Sequence, residues 1–147
     1  MDALRLLEQQ HDEVKKLFKQ IEKAEGERAG QLFTQIRDRL KLHEELEETH
    51  LYPRLKEDTA AGEIVLEAYQ EHHVMDVLID EIGRLKPSDE AFEPKVKVLQ
   101  ENTEHHIEEE EKELFPKVRK VWNTDTREQV GKAMEELARR RQPARAS

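Results

Sequence analysis

The chain contains no cysteine, which excludes disulfides, thiolate zinc sites, iron–sulfur clusters and cysteine nucleophiles. Glycine and proline are scarce, five of each in 147 residues, so few positions interrupt regular structure. No apolar run approaches the ~18 residues that a membrane span needs. Positive charge is in deficit, with a net charge of −9. Phosphates are repelled by such a chain unless a strong local basic patch intervenes, which argues against general nucleic-acid binding. The opening MDALRLLEQQHDEV lacks the charged and apolar regions of a signal peptide, which makes cytoplasm the expected compartment.

What is present is charge, 40% of all residues, in a Leu, Glu, Lys, Arg and Ala mixture that favours long amphipathic helices. The length suits one domain with its own core. Leu4, Leu7, Val14, Phe18 and Ile21 form a stripe that Asp2 can cap, and His11 occupies one slot of it. A second helix is expected over about 28–57, a third over 63–85 with His72 in its stripe, and a fourth over 89–120 with Ser88 as a possible cap. A shorter fifth helix is expected over about 125–140, starting near Thr124 or Thr126. The expected fold is all-α: an up-down-up-down antiparallel four-helix bundle with a short fifth C-terminal helix, a single domain over 1–141, and a flexible basic tail at 142–147. Pro53 and Pro116 fall late in helices two and four, where each should bend or end its helix.

The chain repeats itself. LHEELEETHLYP at 42–53 and HHIEEEEKELFP at 105–116 both read His-x-x-x-Glu-Glu-x-x-Leu-aromatic-Pro. Val14, Leu17, Phe18 and Ile21 follow His11 at the same offsets as Met75, Leu78, Ile79 and Ile82 follow His72. Two helical hairpins, about 1–58 and 62–121, therefore each donate a histidine and then His-x-x-x-Glu.

Residues four apart share a helix face, so His43 with Glu47, and His106 with Glu110, point to one place. The apolar register turns that face, with His11 and His72, into the bundle. Four imidazoles and two carboxylates buried unpaired would cost several kcal/mol each, against a typical domain stability of ~5–15 kcal/mol. A metal compensates directly. Mixed imidazole and carboxylate ligands suit iron, manganese or zinc, and two shared carboxylates suit a pair of ions. Open positions in such a site favour iron, because they permit chemistry with oxygen.

The set His11, His43-x-x-x-Glu47, His72, His106-x-x-x-Glu110, with both Leu-aromatic-Pro endings, resembles the hemerythrin-like (HHE cation-binding) domain over residues 1 to about 122. The resemblance implies two carboxylate-bridged non-haem iron ions, with Glu47 and Glu110 bridging and the four histidines terminal. It also implies a small diatomic or peroxide ligand and a sensing or redox role, with a peroxide-consuming or ferroxidase-like enzyme and an iron store or donor as alternatives. Oxygen-carrying hemerythrins have two histidines four apart on the third helix, where this chain has Asp76 as the second. They also separate histidine and carboxylate by five on the fourth helix, where this chain has four. Both departures resemble the broader bacterial branch and leave sensing, peroxide chemistry and iron handling open.

Other residues compete for the site. His73 and His105 adjoin expected ligands but point about 100° away around the helix, toward the surface. His50 shares a face with His43 and forms Glu47-x-x-His50, a ferritin-type pattern, yet the second repeat has Glu113 there. Asp76 suits a solvent-facing or outer role. Tyr52 is matched by Phe115, which argues against a required phenol and leaves a single Tyr–metal contact open. Glu44, Glu45, Glu108, Glu109 and Glu113 are expected on a solvated acidic face. Leu46, Ile107 and Leu114 are expected to line any small-molecule pocket.

Overall fold

The computed structural model describes residues 1–58 and 60–142. Its elements are α1 (Ala3–Glu22), α2 (Gly26–Leu46), α3 (Tyr52–Leu55), α4 (Gly62–Gly83), α5 (Phe92–Glu109), α6 (Phe115–Val121) and α7 (Thr124–Arg141). Two π-helical turns, Glu47–Leu51 and Glu110–Leu114, join α2 to α3 and α5 to α6. The result is four long rods and a fifth helix. α1 packs on α2 and α4 on α5, and α7 lies against α1 and α2. No described helix is long and apolar enough to cross a membrane. From residue 143 on, the expected tail lies outside the described residues.

The helix starts follow local chemistry. Asp2 Oδ1 accepts from Leu4 N at 2.8 Å, a side-chain cap of α1. Its other oxygen accepts from Arg127 Nε at 2.7 Å, which ties α7 to the same end of the bundle. The cap of α7 is Asn123, whose Oδ1 accepts from Thr126 N at 2.8 Å. Ser88 does not cap the fourth rod. Asp89 Oδ2 instead accepts from Lys86 N within the preceding turn, and α5 begins only at Phe92.

Neither proline ends its rod. Proline lacks an N–H and its ring crowds the carbonyl four residues back, here those of Thr49 and Lys112. The strain is relieved by widening the preceding turn: Tyr52 N–H bonds to Glu47 O, and Phe115 N–H to Glu110 O. Each widened turn starts at a buried carboxylate, Glu47 in one and Glu110 in the other. Such π insertions frequently mark functional sites.

The core has two apolar clusters. One gathers Leu4, Leu7, Leu46, Leu51, Val65, Leu114, Phe115, Val118 and Met134, and the other Val14, Phe18, Leu32, Ile36, Leu40, Met75, Ile79, Leu99 and Ile107. His11, His43, Glu47, His72, His106 and Glu110, all buried, form a polar layer between them.

Gly131 is where α7 comes closest to the N-terminus. A Cβ there would collide with the carbonyl oxygen of Met1 and the backbone N of Ala3. Backbone cannot swing aside as a side chain does, so Gly131→Ala should destabilise the fold by about 1–3 kcal/mol. Chemical denaturation of the variant beside the parent checks this. Unchanged stability would mean that α7 docks less closely.

Candidate metal centre

The polar layer is built from matched positions on the four rods. His11 (α1) and His43 (α2) bring their Nε2 atoms to 3.1 Å, and His72 (α4) and His106 (α5) bring theirs to 3.3 Å. The carboxylates stand between these pairs. Glu47 Oε1 lies 3.1 Å from His72 Nε2 and 3.3 Å from His43 Nε2. Glu110 places Oε1 at 3.1 Å from His11 Nε2 and Oε2 at 3.5 Å from His106 Nε2. Each carboxylate therefore touches histidines of both halves. Two groups with metal-ligand proximity result: His11, His43, Glu47 and Glu110, and Glu47, His72 and His106.

Every ring is oriented from behind. The Nδ1 atoms of His11, His43, His72 and His106 lie 2.6, 2.7, 2.9 and 2.6 Å from oxygens of Glu111, Gln10, Glu48 and Glu71. Carboxylates and amide oxygens only accept, so each Nδ1 carries the hydrogen. In a neutral ring that leaves Nε2 as a lone pair, and four such lone pairs converge on two carboxylates. The arrangement is repulsive unless a cation or extra protons sit among them. Glu47 Oε2 is also buried with no hydrogen-bond partner, a deficit on the order of 1–3 kcal/mol. An imidazole and carboxylate set with an orphaned oxygen fits a metal held by N and O ligands.

Electrostatics agree with that chemistry. Burial by itself lowers an imidazole pKa, yet Glu47 and Glu110 raise His43 to about 10. His72 rises to about 9, where hydrogen bonding to Glu47 and Glu48 overcomes burial. His106 is held well above its ordinary value by Glu110 and Glu47 against the same burial penalty. Burial and Glu110 push Glu47 up, but His43 and His106 prevail and lower it to about 2. The two carboxylates thus favour the protonated form of His43, His72 and His106.

Tyr52 occupies a place that the sequence reading assigned little weight. Its hydroxyl donates to Glu110 Oε2 at 2.6 Å and lies 3.0 Å from Glu47 Oε1 and 3.3 Å from His72 Nε2. Burial, then Glu110 and Glu47, raises its pKa well above the ordinary phenol value. In the other half Phe115 stacks on His11 at 6.0 Å between ring centroids. The two halves thus differ at this point, a hydroxyl on one side and a bare ring on the other.

Glu44 is a correction. Expected on a solvated face, it is 5% exposed, and its Oε2 has no partner. Burial, with Asp76 beside it, raises its carboxyl to about 9. It borders a cavity of about 10 Å³ together with Val14, His43, Met75 and Ile107. Of the residues expected to line a pocket, Ile107 does so. Leu46 and Leu114 instead belong to the apolar cluster beside α7.

The remaining competitors stay outside the cluster. His73 is exposed and His105 is 72% exposed, the latter beside Glu71 and Glu109. His50 is half-buried beside Arg54 and Arg140, and burial followed by these cations lowers its pKa. Asp76 accepts from Lys41 Nζ at 2.8 Å at the surface. Glu108 and Glu113 are exposed as expected, whereas Glu45 and Glu109 are half-buried. The oxygen partners of the four rings went unassigned in the sequence, although the repeat marks them. Gln10 and Glu71 each precede the first histidine of a half, and Glu48 and Glu111 each follow its buried glutamate.

Comparison with known proteins places this geometry. A crystal structure of a hemerythrin HHE cation-binding domain-containing protein from Mycobacterium kansasii superposes with a TM-score of 0.82, covering 95% of this chain and 86% of that one at 25% identity. A DNA nickase of Nostoc sp. (strain PCC 7120 / SAG 25.82 / UTEX 2576) is 28% identical over 130 residues. That match takes in 88% of this chain but 37% of the Nostoc protein, so the chain spans little more than a third of that relative. The hemerythrin HHE cation-binding domain matches residues 2–118, a stretch that contains every member of the buried cluster, and the chain belongs to that family.

Proposed function

We propose that the cluster holds two non-haem iron ions and that the protein binds or reacts with dioxygen, nitric oxide or peroxide in a sensing or redox role. His11 and His43 would hold one ion and His72 and His106 the other, with Glu47 and Glu110 available to both. The observation that carries this reading is the paired geometry: two histidine pairs from two hairpins, bridged by carboxylates that each reach both. A single zinc takes four ligands around one centre, which the first group alone supplies, but that would leave His72 and His106 beside Glu47 as a second, unfilled group, so the donor set as a whole favours two ions. Iron bound there supplies open coordination positions and a redox couple.

The chain's own residues do the rest. Glu111, Gln10, Glu48 and Glu71 hold the four rings in one tautomer and orientation, which also sets their basicity. Tyr52 donates a hydrogen bond to Glu110, so one shared carboxylate is steadied in a defined position. The two apolar clusters exclude bulk water from either side of the layer.

Protein produced with ample iron should carry about two iron ions per chain, with near-ultraviolet absorption from bridged ferric iron. Elemental analysis with a spectrum checks this. One zinc and no iron under those conditions would remove the two-iron reading.

A further inference from the structure

The repeat that builds the metal layer is broken at one buried position. Glu44 follows His43 as Ile107 follows His106, and both border the same small cavity. The rest of that wall is Gln10, Val14, Arg39, Leu40, Met75 and Thr103, with His11, His43 and His106 on the side of the metal layer; Gln10 is engaged with His43 and Arg39 with Glu13. Thr103 Oγ1 is engaged with Met75 Sδ at 3.4 Å. Glu44, whose Oε2 is buried with no partner, therefore borders a small, nearly apolar cavity of about 10 Å³. A chamber of that size takes one water-sized molecule.

We propose that this cavity seats one small protic ligand, with hydrogen peroxide as the redox-active member of that class, and that Glu44 selects it by accepting its O–H. The proposal rests on the metal-centre reading and deepens it. Dioxygen and nitric oxide carry no hydrogen to donate, so they leave the Glu44 oxygen as unpartnered as before. A ligand with an O–H satisfies that oxygen while lying against three of the four histidines. A site built to hydrogen-bond its ligand discriminates strongly against analogues that lack the group. Ile107, which borders the same cavity, shows that an apolar side chain fits at the equivalent position. A buried carboxyl is thus not required by packing at this level of the bundle.

The test uses iron-loaded protein with Glu44→Leu and Glu44→Gln. Both variants should keep the parent's iron content. Glu44→Leu should raise the hydrogen peroxide concentration that half-saturates the spectral change by about tenfold or more, while nitric oxide binding to the reduced protein changes less than about twofold. Glu44→Gln, which retains an accepting oxygen, should stay near the parent. Metal-free Glu44→Leu should also melt at a higher temperature than metal-free parent, since it removes a buried carboxyl whose Oε2 has no protein partner and meets only a trapped solvent molecule. A high-resolution structure of metal-free parent should show one ordered solvent molecule within hydrogen-bond distance of Glu44. A dry cavity would overturn the proposal, as would a Glu44→Leu protein with full iron and unchanged peroxide dependence. A parent that binds no iron but shows the ordered solvent would sink the metal reading while supporting the ligand seat.

Discussion

Glu47→Ala should lose metal affinity by more than about 100-fold, because loss of an outer partner alone typically costs 10–100-fold and Glu47 lies inside the cluster. The same carboxylate touches His72, His43 and His106 at 3.1, 3.3 and 3.8 Å, so its loss affects both ion positions together. His106→Ala should instead empty the His72 and His106 position first. His73→Ala and His105→Ala should load as the parent does, since both side chains are exposed and outside the cluster. Metal-free Glu47→Ala should also be less stable by about 3–5 kcal/mol near neutral pH, because it strands buried, protonated imidazoles without their counter-charge. Equilibrium dialysis with metal analysis reads the first effect and urea unfolding the second. Full loading of Glu47→Ala, or collapse of loading in His73→Ala, would show that the register is wrong by one residue.

The parts that were legible in the sequence are those that periodicity exposes. Four apolar stripes marked the rods, histidines in two of those stripes marked His11 and His72, and a repeated His-x-x-x-Glu marked the other four residues that the structure brings together. Those relationships hold within one regular α-helix, where 3.6 residues per turn converts spacing into direction. Tyr52 was hidden for the same reason. Five residues after Glu47, it would stand about 140° around a regular helix. The π turn ahead of Pro53 removes that separation, so the hydroxyl reaches Glu47 and Glu110. Pro53 and Pro116 signalled a disturbance, but whether a helix answers by ending, bending or widening depends on the neighbours that hold its two ends.

Glu44 was hidden differently. Glutamate among glutamates reads as a solvated face, and 44, 45, 47 and 48 alternate between inside and outside by a single residue. Neighbours from α4 help decide which side is covered, since Asp76 lies beside Glu44 and accepts from Lys41, and that contact lies between segments distant in sequence. The outer acceptors fall between the two cases. Glu48 and Glu111 appear in both copies of the repeated phrase, and Gln10 and Glu71 occupy matched places, yet pairing them with particular rings requires the crossing of the rods. Glu48 and Glu111 reach His72 and His11, histidines of the opposite hairpin.

Metal affinity should rise with pH well beyond the ordinary imidazole range. A ligating imidazole must be neutral, so each ion displaces whatever protons the ring nitrogens hold. From the sequence alone, competition should fade above the free histidine pKa of about 6.5. The folded cluster moves that window upward, because Glu47 and Glu110 raise His43 to about 10 and Glu47 and Glu48 help raise His72 to about 9, with His106 also held well above its ordinary value. Between about pH 6.5 and 9, the position at His72 and His106 should gain up to about 100-fold in apparent affinity per pH unit, and the position at His43 about tenfold. The sign for the metal-free protein is opposite. A histidine pKa raised by folding contributes stability that is fully present below about 6.5 and lost as pH rises through 9 to 10. Glu47, lowered to about 2, contributes stability that is present above its unfolded value of about 4.3 and lost as pH falls through 2. Metal-free protein should therefore be most stable between about pH 4.5 and 6.5 and weaken progressively as pH rises from about 6.5 to 10, while loaded protein should hold its stability through that range. Calorimetric titration in buffers of different ionisation enthalpy reads the released protons, and melting curves across pH read the stability. Proton-neutral metal binding at pH 7 would mean that the imidazoles are already neutral and that another cation or hydrogen-bond pattern satisfies the cluster.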